Sequence, residues 1–159
     1  MGECYSQDMP FAPDIIVTDP ESSEVALVVE TKTYVHDLEG SEKQLKWYMA
    51  GMRCPVGLLI TPGRLRLYRD RYLDNSVGSI ERVAEFDVEK VLNFQGTAGG
   101  RQDALEFERS VQAWLERLGT EAGLRELPAE LRHAAQSYIV PAISQGNIRA
   151  GHPRMPVDA

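Results

Sequence analysis

Apolar and polar positions divide the chain into short runs of two kinds. Ile15-Ile16-Val17 and Val25-Ala26-Leu27-Val28-Val29 are continuous apolar runs of strand length, separated by the polar Asp19-Pro20-Glu21-Ser22-Ser23-Glu24. Apolar runs bounded by turn residues predict strands, and the unbroken second run predicts one buried on both faces of a covered sheet. The turn predicts a hairpin, with the second run folded back beside the first. The polar stretch 33–40 predicts a loop. Leu45, Tyr48, Met49 and Met52 then recur at helical spacing and predict a helix over 41–51, with Ser41 and Gln44 as a capping box and Gly51 at its end. After Cys54-Pro55, residues 56–61 predict another buried strand, Pro62-Gly63 a tight turn, and Arg64-Leu65-Arg66-Leu67 the start of an alternating strand.

The second half is more helical. Ile80, Val83 and Phe86 predict a strand of loose periodicity, and 88–94 a short amphipathic piece. The stretch 96–100 predicts a flexible connection; it lacks the lysine and the flanking strand of a phosphate-binding loop. Ala104, Phe107, Val111, Trp114, Leu115 and Leu118 define one face of a helix over 103–118, ended by Gly119. Pro128 opens a further helix with Leu131, Ala135, Tyr138 and Ile139 inward, and Pro141 closes it. These two helices either cover the sheet or pair with a second copy as a homodimer. The resulting organisation is α/β: a single domain over 1–143, with 1–13 as an extended lead-in holding Pro10 and Pro13, and a loose polar tail over 144–159.

Three polar groups break the apolar pattern where strands normally carry none. Asp14 opens the first run, and Glu30 and Lys32 close the second. Residues two apart on a strand share a face, so Glu30 and Lys32 point the same way. An antiparallel hairpin brings the start of its first strand beside the end of its second, which sets Asp14 next to Glu30. Adjacent carboxylates repel unless a cation lies between them, and a divalent ion with hard oxygen ligands relieves that repulsion. The lysine cannot ligate the ion, but it can stabilise an anionic phosphate or help position and deprotonate a water. Asp19 is a rival for the metal-binding aspartate, but it lies in the turn, away from Glu30. The plain alternative is a surface hairpin whose ends are charged. His36, in the loop after Lys32, is expected to be solvated.

Pro13-Asp14, then Glu30-Thr31-Lys32 closing an apolar strand, then a helix with Gln44 four residues before Tyr48, resembles the PD-(D/E)xK nuclease superfamily. The Gln44 and Tyr48 pair is similar to a motif of RecB-type and Cas4-type nucleases. The run from Asp14 through Gln44 to Leu59-Ile60-Thr61 looks like the amino-terminal nuclease domain of type I restriction subunits. The resemblance covers roughly 13–70. It implies a restriction endonuclease-like fold, a mixed central β-sheet flanked by helices. It also implies a nuclease hydrolysing phosphodiester bonds in nucleic acid, DNA before RNA, with Mg2+ or Mn2+. Asp14, Glu30 and the Thr31 carbonyl would hold the metal. Lys32 would act on the phosphate or the water, Gln44 would orient one of them, and Tyr48 would support it. The pattern departs from the family upstream, where a helix with a further acid is usual; only Glu3 and Asp8 precede Asp14. A nuclease-like domain that no longer cuts, and binds nucleic acid or a protein partner instead, is the second expectation.

Composition changes this picture in one respect. The net charge is −7, whereas a generic nucleic-acid coat protein is basic. Docking a polyanion therefore needs a local cluster of cations. Arg64, Arg66 and Arg69 on the alternating strand, with Arg71 beyond it, form the densest one, and arginine suits phosphate. Lys43 and Lys46 on the outer side of the 41–51 helix are weaker candidates. The apolar fraction of 43% is ordinary for a soluble protein, no run reaches the ~18 residues of a membrane helix, and Cys4 and Cys54 lack metal-ligand spacing. A cytoplasmic protein with free thiols and no membrane partner is expected.

Overall fold

The computed structural model describes residues 12–33, 37–96 and 99–151. Six strands form one mixed sheet in the order β5-β4-β3-β2-β1-β6. β1 (Ile15–Thr18) and β2 (Val25–Thr31) form the expected hairpin, with Ile15 opposite Val29 and Val17 opposite Leu27. The turn is closed by Asp19: its Oδ1 accepts the Glu21 N–H at 2.8 Å and its carbonyl the Ser23 N–H at 2.8 Å. Asp19 is thus spent on the turn, away from Glu30. From β2 the chain crosses through helix α1 (Leu38–Met52) to β3 (Val56–Ile60), which lies parallel to β2. β4 (Arg64–Asp70) and β5 (Ile80–Asp87) continue the sheet antiparallel.

Helix α1 begins three residues earlier than its apolar stripe suggests. Asp37, not Ser41, caps it: the Asp37 carboxylate accepts the Gly40 N–H at 3.2 Å. At the other end Arg53, not Gly51, takes the left-handed cap conformation, with φ 55°. The inner face of α1, with Leu45, Met49 and Ala50, packs on Ile16, Val28, Leu59 and Tyr68. Gly57 permits this approach, because a Cβ there would run into the Met49 sulfur.

The opposite face of the sheet carries the larger core. Ile15, Val17, Leu27, Val29, Leu58, Ile60, Leu65 and Leu67 meet helix α3 (Gly100–Arg117) through Phe107, Val111, Trp114 and Leu115. Each such fully buried side chain stabilises the fold by about 1.5–3 kcal/mol. A short helix α2 (Glu89–Leu92) precedes α3, and α4 (Glu121–Arg125) follows it. The chain then runs as helix through α5 (Ala129–Ala134), a π-helical turn (Ala135–Ile139) and α6 (Val140–Ile143). Pro141 therefore does not close the helix. It stands in the first turn of α6, where its missing N–H costs least. Leu131, Ala135, Ile139 and Ile143 point into this core, so these helices cover the sheet.

Two more differences have a clear cause. The loose periodicity of 80–86 is a β-bulge: Leu67 lies opposite Ala84 but Tyr68 lies opposite Arg82, so Val83 is extra. The side-chain alternation reverses there, which puts Ile80 in one core and Phe86 against the other. The tail expected to be loose supplies a strand, β6 (Asn147–Ala150), antiparallel to β1 with Ile16 opposite Arg149. Its period-two pattern is only four residues long, too short to stand out in a polar sequence. Backbone contact holds it: the Gly151 N–H donates to the Asp14 carbonyl at 3.0 Å. A Cβ on Gly151 would collide with the Pro13 carbonyl, so only glycine lets the two backbones come this close. Among the described residues no helix is long and apolar enough to cross a membrane.

Candidate active site

The sheet brings the three polar groups together. Asp14 immediately precedes β1, Glu30 is the penultimate residue of β2 and Lys32 follows β2 directly. The register that sets Ile15 opposite Val29 puts Asp14 opposite Glu30. Glu30 lies on the α1 face with Val28, because residues two apart on a strand share a face, and Asp14, in the bend before β1, stands beside it.

Asp14 is anchored by Thr31. The Thr31 N–H donates to Asp14 Oδ2 at 2.8 Å and the Thr31 hydroxyl donates to the same oxygen at 2.9 Å. Two hydrogen bonds to one oxygen fix the carboxylate's orientation. In a strand the N–H and C=O of one residue point to the same neighbouring strand. The Thr31 carbonyl therefore faces the β1 side, with Asp14.

Glu30 is only 4% exposed, an unusual place for a carboxylate. Its Oε2 lies 3.3 Å from the Lys32 ammonium, while its Oε1 is buried and accepts no hydrogen bond from any described residue. Burial pushes the Glu30 carboxyl up to about 8; the Asp14 charge pushes the same way, and the Lys32 ammonium pulls against both. Asp14, Glu30 and Lys32 together carry one carboxylate more than ammonium, so Glu30 favours its protonated form near neutral pH.

That deficit fits a divalent ion. A buried carboxylate oxygen without a donor, a second carboxylate held rigid beside it and a backbone carbonyl on the same side are the hard donors Mg2+ or Mn2+ takes. Among the described residues no cluster of three or more His, Cys, Asp or Glu side chains forms a ready ligand set. Two carboxylates and a main-chain oxygen, completed by solvent, would be a set of the kind Mg2+ takes. Glu3, Asp8 and His36 lie outside the described residues.

The helix residues are placed less closely. Gln44 is exposed on α1, and among the described residues it makes no hydrogen bond to Asp14, Glu30 or Lys32. Tyr48 is half-buried at the edge of the core under α1. Burial pushes its hydroxyl above the ordinary range, the Cys54 thiol adds to this, and the Arg149 guanidinium opposes it. Tyr48 also borders a surface hollow with Trp47, Asn75, Ser76 and Val77. Cys54 is buried and pushed up to about 12, which makes it an inert thiol.

The cations of β4 do not form the single basic face that alternation suggested. Arg64 and Arg66 project on the α1 side with Tyr68, and Arg69, one step out of phase, projects on the other. Each meets an acid: Arg64 and Arg66 with Glu85 at 3.8 and 3.3 Å, Arg69 with Glu81 at 2.7 Å, and Arg71 with Glu81 at 3.8 Å. Glu42 lies 3.9 Å from both Arg66 and Arg82 and accepts the Tyr68 hydroxyl at 2.6 Å. Lys43 is exposed, and Lys46 lies 5.9 Å from the Tyr68 ring centre. Arg149 is the residue that the sequence reading missed. It sits on β6 opposite Ile16, on the α1 side, and the only available signal was the brief alternation of Asn147-Ile148-Arg149-Ala150. No family model, no curated protein and no solved structure matches this chain.

Proposed function

We propose that this protein is a metal-dependent nuclease of the PD-(D/E)xK type, with a restriction endonuclease-like fold, that hydrolyses phosphodiester bonds, DNA being the first substrate to test. The observation that carries this reading is the buried Glu30, with one oxygen lacking a donor, beside the anchored Asp14 and the Lys32 ammonium. A protein with no use for a cation at this point would place an apolar residue there, because a buried carboxylate without full pairing is destabilising.

Asp14, Glu30 and the Thr31 carbonyl would hold Mg2+ or Mn2+. When bound, the ion polarises a phosphoryl oxygen and lowers the pKa of a bound water. Thr31 keeps the Asp14 carboxylate from rotating out of the site. Lys32 donates to a phosphoryl oxygen as negative charge accumulates on the oxygens of the five-coordinate phosphorus, and orients the attacking water. The 3.3 Å contact with Glu30 and a side chain left 41% exposed support this role. Gln44 and Tyr48 act at the substrate side in this reading, Gln44 on water or phosphate and Tyr48 in support.

A second reading, in keeping with the net charge of −7, is a nuclease-like domain that binds nucleic acid or a protein partner without cutting. Labelled linear and circular DNA, incubated with Mg2+ or Mn2+ and with a chelator control, separates the two. Cleavage that the chelator stops is expected, and cutting of the circle distinguishes internal from end-directed action. Metal binding without cleavage points to a missing substrate or partner, whereas neither cleavage nor metal binding supports the second reading and overturns the first.

A further inference from the structure

Two carboxylates facing a polyanion need cations nearby, and those of β4 are committed to Glu42, Glu81 and Glu85. Lys32, beside Glu30, is taken up by the scissile phosphate itself in the nuclease reading. Arg149 is placed differently. It is exposed, and among the described residues no carboxylate lies within ion-pair distance of it. Its partner across the ladder is Ile16, on the same face of the sheet and two residues along the chain from Asp14. Two residues of strand span roughly 7 Å, which an extended arginine side chain bridges. The strand that carries it is locked to the metal-binding strand, since Gly151 donates to the carbonyl of Asp14 itself.

Resting on the nuclease reading, we propose that Arg149 is a substrate-positioning residue: its guanidinium takes a backbone phosphate of the nucleic-acid strand whose scissile phosphate lies at Asp14 and Glu30. The planar fork of arginine matches a phosphate with two parallel hydrogen bonds, which fixes orientation as well as position. β6 thereby has a function beyond closing the sheet: it sets a cation at a fixed distance from the catalytic acids.

The test is binding of a short fluorescein-labelled single-stranded DNA, followed by anisotropy in Ca2+ over a series of salt concentrations. Arg149→Ala is expected to weaken binding by about tenfold or more and to reduce the slope of log affinity against log salt by about 0.7, one phosphate contact on a single strand. Arg149→Lys is expected to restore the slope but not the full affinity, because it keeps the charge and loses the fork. Thermal melting serves as the control, and an exposed edge residue should leave it unchanged. Wild-type binding whose affinity and salt slope are the same in Arg149→Ala overturns the assignment and leaves the nuclease reading standing. A wild-type protein that binds no nucleic acid with metal present overturns both.

Discussion

Glu30→Gln is expected to abolish metal-dependent cleavage and, in the same protein, to make the metal-free fold more stable than the wild type at pH 8. The two effects have one cause. Glutamine is nearly isosteric with glutamate but neutral, so it would hold a divalent ion far more weakly than a carboxylate does. The buried charge that destabilises the fold in chelator goes with it. The unfolded chain ionises Glu30 near 4.5 and the folded chain near 8. Between those values unfolding releases a proton, so wild-type stability falls as the pH rises and levels off above 8. Each pH unit within that interval removes up to about 1.4 kcal/mol. Chemical denaturation in a chelator at pH 5 and pH 8 reads this directly. The gap between Glu30→Gln and wild type should widen from the lower pH to the higher by a few kcal/mol. A constant gap would mean that Glu30 ionises normally in the fold, and that the site has no charge deficit for a metal to fill.

Lys32→Ala should lower the cleavage rate by on the order of a hundredfold to a thousandfold, the usual cost of removing one preorganised donor from a transition state. Its second effect separates it from a simple binding mutant. The Lys32 ammonium pulls the Glu30 carboxyl down against burial and Asp14. Without it Glu30 holds its proton more tightly, and the pH at which metal binds half-maximally should move up. Single-turnover cleavage at saturating Mn2+, together with metal titrations across pH, measures both effects. Full activity in this variant would remove Lys32 from the mechanism and take the proposed chemistry with it.

The site was legible in the sequence to the extent that strand periodicity is rigid. Once 15–17 and 25–29 are read as a hairpin, the placing of Asp14 beside Glu30 and the common face of Glu30 and Lys32 follow from a period of two. The structure keeps both. What escaped were features set by contacts distant in sequence. Val83 is extra only relative to β4, so its bulge shows only in the pairing. Residues 147–150 have too few apolar positions to announce a strand, and they become one because β1 offers an unpaired edge. Local chemistry was also misjudged where two candidates competed. Ser41 with Gln44 matches a capping box, but Asp37 with Gly40 closes the first turn of α1 earlier. On β4, Arg64, Arg66 and Arg69 look like one basic face until their phase and their acid partners are placed beside them. The helix residues Gln44 and Tyr48 stay at the margin for the same reason: periodicity fixes which side of α1 they occupy, and tertiary packing decides how far they stand from Asp14 and Glu30.

The acidic pair as a metal site is the claim on which the rest depends, and calorimetric titration of Mn2+ at pH 7 in buffers of different ionisation enthalpy tests it most directly. Glu30, pushed up to about 8, is mostly protonated at that pH, so an ion that ligates it must displace the proton. The predicted result is saturable binding with release of close to one proton per ion, lost in Glu30→Gln. Absence of binding, or binding with no proton release that persists in Glu30→Gln, would contradict it.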